Sequence, residues 1–267
     1  MHRVTIVLCT AALGAFCLGC GKGKGKAVSV IGSTSVQLFA EMLAEEFNKR
    51  QPEGSNAYVE VQGGGSTAGI QAVNNGIAEI GMCSRELKPE ETGLTPIPIA
   101  RDGIAVIVYK DNPVSGLSRA QIRDVFAGKI TNWKDVGGSG KPIRLITREE
   151  GSGTREAFTH LVMGSSRIAG SAMTQESNGA VRELVIHDPA AIGYMSLGLV
   201  GKELKTLTVD GVVPSAADVI NGTYPLVRPF LFVVKDTPGE GAQRFIDFVL
   251  SDRGQQMLEK EGLVRVK

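Results

Sequence analysis

The chain has 267 residues, 42% of them hydrophobic and 21% charged, an ordinary globular composition that is long for one domain and comfortable for two. Its 29 Lys+Arg balance 28 Asp+Glu, and only 5% of residues are aromatic. That disfavours the basic field and stacking faces of a nucleic-acid binder, and equally an anionic-membrane surface.

Residues 1–19 read as a signal peptide. His2 and Arg3 precede an apolar run, Val4 to Leu18, too short and too rich in Ala and Gly for a membrane span. The run ends in Leu18-Gly19-Cys20, the form of a lipoprotein cleavage site, although Cys17 stands where an aliphatic residue is usual. Cys20 is therefore the expected lipidation site, and residues 20–26 a hydrophilic tether. Cys9 and Cys17 leave with the signal, so Cys83 has no partner for an intramolecular disulfide and is expected to pack as a small hydrophobe.

From Ala27 onward, β-type runs alternate with helix-period runs, which predicts α/β layers. "AVSVIG" reads as a strand, followed by a helix whose Phe39, Met42, Leu43 and Phe47 share one face. "AYVEVQG" is a second strand, and "IQAVNNGIAEIGM" holds a short helix and a third strand. "GIAVIVYK" predicts a strand buried on both faces. "LSRAQIRDVFAGK" predicts a helix with a Ser118/Gln121 capping box, an apolar stripe of Ile122, Val125 and Phe126, and a stop at Gly128. "PIRLIT" is a strand and "REAFTHLVMG" its helix; His187 falls in what reads as a loop. "RPFLFVVK" is another strand, and the last 25 or so residues read as one or two helices. No long Pro/Gly/Ser linker divides the chain, so two lobes must be joined by crossing strands. The expected partition is 27–107 with 229–267 in one lobe and 108–228 in the other.

One device recurs: a strand, a Gly/Ser/Thr turn, then a helix. The turns are Gly32–Ser35, Gly63–Thr67 and Gly151–Thr154, the last with Arg148 just upstream; Ser84 and Arg85 form a fourth polar turn. Helix starts carry unpaired N–H groups and partial positive charge, and Ser and Thr add donors without bulk. Any one such turn more often only caps a helix. Three together point to a shared anion, and so many donors suit a tetrahedral oxyanion better than a carboxylate. Glu149 and Glu150 stand beside Arg148, and one of them is expected to pair with it. "GGSGKP" (Gly137–Pro142) lacks the spacing of a phosphate loop. "GGSTA" resembles a nucleophile elbow with Ser66 at its tip, but neither His160 nor His187 carries the signature of a hydrolase base. No spacing suggests a metal site or a cofactor.

With these motifs in order — "GSTS", "GGGS", "IGMCSRELK", "FAGKITNWKDVGG", "REEGSGTREAF", "AAIGYMSLG" — nearly all of Ala27–Lys267 resembles the phosphate-binding component of the bacterial phosphate ABC transporter. The resemblance implies a two-lobed periplasmic-binding-protein-like (type II) fold, each lobe a mixed sheet flanked by helices, with one phosphate in the cleft. It implies no enzymatic activity but high-affinity binding of inorganic phosphate and delivery to membrane permease subunits. It also implies a monomer outside the cytoplasmic membrane, anchored through Cys20. Carried over motif by motif, it places Thr34, Ser35, Ser66, Ser84, Arg148, Ser152, Gly153 and Thr154 around the phosphate. Some members have an aspartate at the position of Ser84, so the resemblance leaves discrimination against sulfate open. Another tetrahedral oxyanion, sulfate or molybdate, is the alternative ligand, and a Ser66 hydrolase the alternative of another class.

Overall fold

The computed structural model describes residues 27–52 and 58–266; the expected signal peptide, the tether and Cys20 lie outside the described residues. In chain order, β1 (Val28–Gly32) leads into α1 (Thr34–Lys49), β2 (Val59–Gly63) into α2 (Ser66–Asn74), and β3 (Ile80–Cys83) into the long β4 (Leu94–Tyr109). Then come β5 (Gly116–Leu117), α3 (Arg119–Phe126), β6 (Arg144–Arg148), α4 (Gly153–Phe158), β7 (Met173–Gln175), α5 (Asn178–His187) and β8 (Ala191–Ser196). The chain continues through β9 (Leu204–Thr206), β10 (Thr208–Val209), α6 (Ala216–Ile220), β11 (Val227–Lys235), α7 (Glu240–Leu250) and α8 (Asp252–Lys260).

The described residues place nine strands in one mixed sheet, in the order β2-β1-β3-β11-β4-β8-β6-β7, with β9 also on β4. β1 pairs in parallel with β2 and β3, as strand–helix–strand crossovers require. The antiparallel strand β11 then lies between β3 and β4. β4 serves both halves: Leu94–Gly103 pairs with β11, and Ile104–Val108 pairs antiparallel with β8.

Two apolar cores sit on this sheet. The first joins Phe39, Leu43 and Phe47 of α1 to Phe230 and Phe232 of β11 and to Phe245 of α7. The second joins Ile104 and Val106 of β4 to Phe126, Trp133, Phe158 and Tyr194. We propose that the lobe boundary on β4 lies at Arg101–Gly103, where membership passes from one core to the other, slightly before residue 107.

Local sequence explains the helices. On α1 the buried residues Val36, Phe39, Ala40, Leu43, Ala44 and Phe47 follow the 3.6 period. On α3 both halves of the Ser118/Gln121 box are made, and Ile122, Val125 and Phe126 are fully buried. The lone Trp133 packs in the second core and donates Nε1–H to the carbonyl of Ala190 at 2.9 Å. Cys83 is buried and free, as expected of a packed thiol. Two expectations shift in detail: the helix after Gly153 passes into a π-helical turn at Thr159–Met163, and His187 is the last residue of α5 rather than part of a loop. Ser251 divides the terminal segment into two helices, within the expected one or two.

Candidate functional site

The helix starts of both lobes meet at the centre of the sheet. Thr34 opens α1, Ser66 opens α2, Ser84 follows β3, and Arg148 ends β6 just before the loop into α4. Ser35, Ser66, Ser84, Arg148, Ser152 and Thr154 are all at most 1% exposed. A convergence of so many buried hydroxyls needs partners, and the partners are largely one another.

On the first lobe, Ser33 Oγ accepts from Ser35 N–H at 3.2 Å and donates to Ser84 Oγ at 2.8 Å. Ser84 N–H donates to Ser66 Oγ at 3.0 Å, and the two hydroxyls are 3.4 Å apart. Gly65, the residue before α2, has φ +91, a conformation glycine takes without strain. From the second lobe, Ser152 caps α4 by accepting Arg155 N–H at 3.3 Å. Thr154 Oγ1 lies 2.7 Å from Ser35 Oγ, across the cleft. Gly153 sits against Ser66 and Ser84 so closely that a Cβ there would fall 2.2 Å and 2.6 Å from their hydroxyl oxygens.

Arg148 is buried and held as a fork. Nε donates to Glu149 Oε2 at 2.9 Å and Nη2 to Glu149 Oε1 at 2.9 Å, while Nη2 also reaches Thr34 Oγ1 at 3.1 Å. Glu149 is thus the carboxylate that holds Arg148, and Glu150 is exposed. The third nitrogen, Nη1, is buried without a hydrogen-bond partner. Backbone N–H of Arg148 donates to Tyr194 Oη at 3.4 Å, and Tyr194 stacks on Phe158 with ring centroids 4.0 Å apart. The Arg148 backbone is therefore tied to an aromatic anchor in the second core, while Glu149 orients the guanidinium.

A second buried cation lies beside it. Arg228 of β11 donates Nε and Nη2 to Asp102 Oδ2 at 3.0 and 2.9 Å, and Nη1 to Thr154 Oγ1 at 2.7 Å. Burial pushes the Asp102 carboxyl up, opposed by the attraction of Arg228. The same burial lowers Arg228, but a guanidinium starts so high that it stays charged. Asn178 completes the set, donating Nδ2 to Ser35 Oγ at 2.9 Å. Arg228, Asp102 and Asn178 were not expected from sequence. The available signal was an arginine and an aspartate inside strands that are mostly apolar.

Arg85, next to Ser84, turns away from this cluster. It holds Glu91 through two bonds of 2.7 and 2.8 Å, and its Nε lies 3.0 Å from Glu156 Oε2 on α4. Thr67 N–H donates to the carbonyl of Gly151 at 3.1 Å, adding a backbone clasp between the lobes. Of the expected site residues, all but Cys20 are therefore described and brought together.

Chemically, the cluster offers neutral hydroxyl and backbone dipoles beside one unpartnered guanidinium NH2 group, with Arg148 and Arg228 each balanced by one carboxylate. Ser66 Oγ makes its hydrogen bonds to Ser84, and among the described residues no histidine contacts it.

Comparison with known proteins gives a consistent picture. Residues 21–253 match the model of the PBP superfamily domain. The phosphate-binding protein PstS of Bacillus subtilis is 31% identical over 248 residues, covering 89% of this chain and 80% of that protein. A Clostridium perfringens substrate-binding protein, assigned to phosphate ABC transport and crystallised with bound phosphate, is 42% identical. It superposes with a TM-score of 0.87, over 91% of this chain and 100% of that one. An ABC-type phosphate transport receptor from Vibrio cholerae is 37% identical with a TM-score of 0.75, over 89% and 99% of the two chains.

Proposed function

We propose, from the premise that this chain belongs to the PBP superfamily and within it to the PstS phosphate-binding proteins, that it binds inorganic phosphate between its lobes for import by an ABC transporter. The observation that carries the reading is Arg148: a buried guanidinium, aimed by Glu149, with Nη2 on the Thr34 hydroxyl and Nη1 unpartnered. An unpaired buried cationic N–H is costly, and an oxyanion is the partner that relieves it. Gly153 would contribute its backbone N–H and Ser152 its hydroxyl at the same place. Hydrogen bonds to a charged group contribute about 1.5–3 kcal/mol each. Several suffice for a micromolar dissociation constant, about −8 kcal/mol, after closure costs are subtracted.

A binder rather than a hydrolase is the reading that the solute-binding relatives support, and Ser66 Oγ is hydrogen-bonded to Ser84. Export, anchoring through a lipidated Cys20, delivery to permease subunits and a monomeric state complete the proposal. The test is calorimetric titration of the mature chain with phosphate, arsenate and sulfate. Phosphate and arsenate should compete at one site with sulfate far weaker. Equal affinity for sulfate would replace the proposed ligand with a broader class of oxyanion, and no heat with any of the three would refute an oxyanion site.

A further inference from the structure

Six buried side chains form a closed hydrogen-bonded ring through the proposed site. Asp102 on β4 accepts the Arg228 fork with Oδ2 and the Ser196 hydroxyl with Oδ1 at 2.9 Å. Ser196 N–H donates to Asn178 Oδ1 at 3.2 Å, which fixes the Asn178 amide so that Nδ2 faces Ser35 Oγ. Ser35 meets Thr154, and Thr154 Oγ1 receives Arg228 Nη1, closing the circuit. Every member is at most 3% exposed.

Two members, Arg228 and Asn178, can approach the hydroxyls of Ser35 and Thr154 only as donors. A hydroxyl has one proton and two lone pairs, so each fixed donor takes up an acceptor position on its hydroxyl. Ser35 and Thr154 then have two protons between them. One lies in their mutual 2.7 Å bond, and the other is left to donate. Without the fixed donors, either hydroxyl could rotate to present a lone pair, which repels an anion. A buried ion pair is no better for stability than an apolar pair of the same size, so stability alone does not account for the Asp102–Arg228 fork.

We propose that Arg228 and Asn178 are positioning residues for anion binding, holding the Thr154–Ser35 hydroxyl pair so that its one free proton is presented to the anion. The inference rests on the reading of the site as a phosphate site. Ser35 belongs to the first lobe, whereas Thr154, Asn178 and Ser196 belong to the second, and Asp102 and Arg228 lie on the two strands that join them. The ring is therefore complete only when the lobes are together, and the donor orientation is set by closure itself.

The test is a pair of double-mutant cycles read by phosphate calorimetry. In the first, Asp102→Asn with Arg228→Met is combined with Thr154→Val; in the second, Asn178→Ala is combined with Ser35→Ala. If the positioning residues act through these hydroxyls, each change in the wild-type background weakens binding about tenfold, the effect of one lost charged bond. Combined with loss of its hydroxyl, the same change adds less than about twofold. Additive losses in either cycle, or wild-type affinity for the positioning variants, would overturn the inference while leaving phosphate binding intact. The second cycle removes only a neutral amide and stands alone should the Arg228 variant not fold. Absence of phosphate binding by the wild-type chain would instead remove the functional reading, and this inference with it.

Discussion

Adding one methyl group at Gly153 should hold the cleft ajar. Gly153 begins α4 in the second lobe, and its would-be Cβ lies 2.2 Å from Ser66 Oγ, 2.6 Å from Ser84 Oγ and 3.0 Å from Ser66 Cβ, all in the first lobe. Ordinary contact begins at 3.4 Å, so the worst overlap is 3.4 − 2.2 = 1.2 Å. Rotation of Ser66 could move its oxygen but would abandon the Ser84 N–H bond and leave the Cβ contact unchanged. The lobes must then separate by about 1 Å at the site, which stretches a 2.9 Å hydrogen bond beyond useful range. Losing two charge-assisted bonds at about 1.5–3 kcal/mol each gives roughly 3–6 kcal/mol, or two to four orders of magnitude in phosphate affinity. The fold itself should not suffer, because alanine is favoured over glycine in a helix by about 1 kcal/mol. Calorimetry of Gly153→Ala measures the affinity, and thermal unfolding without phosphate supplies the control. Wild-type affinity in a normally folded variant would refute the closed-cleft reasoning.

Three further outcomes follow from the same geometry. Arg148→Ala should weaken phosphate binding at least about tenfold, the low end for a charged hydrogen bond, and unchanged calorimetry would remove Arg148 from the site. Glu149→Gln breaks one of the two bonds that Glu149 makes to the guanidinium and removes its charge, so phosphate off-rate and the pH dependence of affinity should both change. Glu150→Gln should change neither, and stopped-flow traces in which the two variants behave alike would refute that division. Glu91 concerns acid stability: burial pushes its carboxyl up, but the Arg85 fork and Lys88 N–H hold it below its ordinary 4.5. A carboxyl lowered in the folded state contributes stability above pH 4.5 that is lost as pH falls through the lowered value. Glu91→Gln should flatten the acid limb of Tm against pH, and a limb parallel to wild type would contradict this.

Much of the site was legible because its signals are local. Each Gly/Ser/Thr turn lies between a strand and a helix within a few residues, and Arg148 stands three residues before its glycine. The Ser118/Gln121 box was readable for the same reason. Arg228 and Asp102 were not, since their partnership spans 126 residues and depends on the antiparallel pairing of β11 with β4. Asn178 stands in no motif or element that the sequence marks; only the fold brings its amide to Ser35, 143 residues away. Sequence could pose the choice between Glu149 and Glu150 but not make it. Both lie beside Arg148, and the loop conformation after β6 decides which carboxylate faces the guanidinium. The π-helical turn after Phe158 has no local signal comparable to a cap.

The path of β4 and β11 also imposes an order on assembly. The second core is built almost wholly from one uninterrupted stretch, Ile104 to Val227, plus Val264. The first core begins at Val28 yet needs Phe230, Phe232, Phe245 and Leu263 to fill it. A chain emerging N-terminus first therefore presents β1, α1, β2 and β3 well before the strand that must lie beside β3 exists. Loop closure over some two hundred residues delays that lobe, whereas the second lobe closes over far shorter distances. Birth order and folding order are inverted: the half made first waits, its apolar faces uncovered, for the last forty or so residues to arrive.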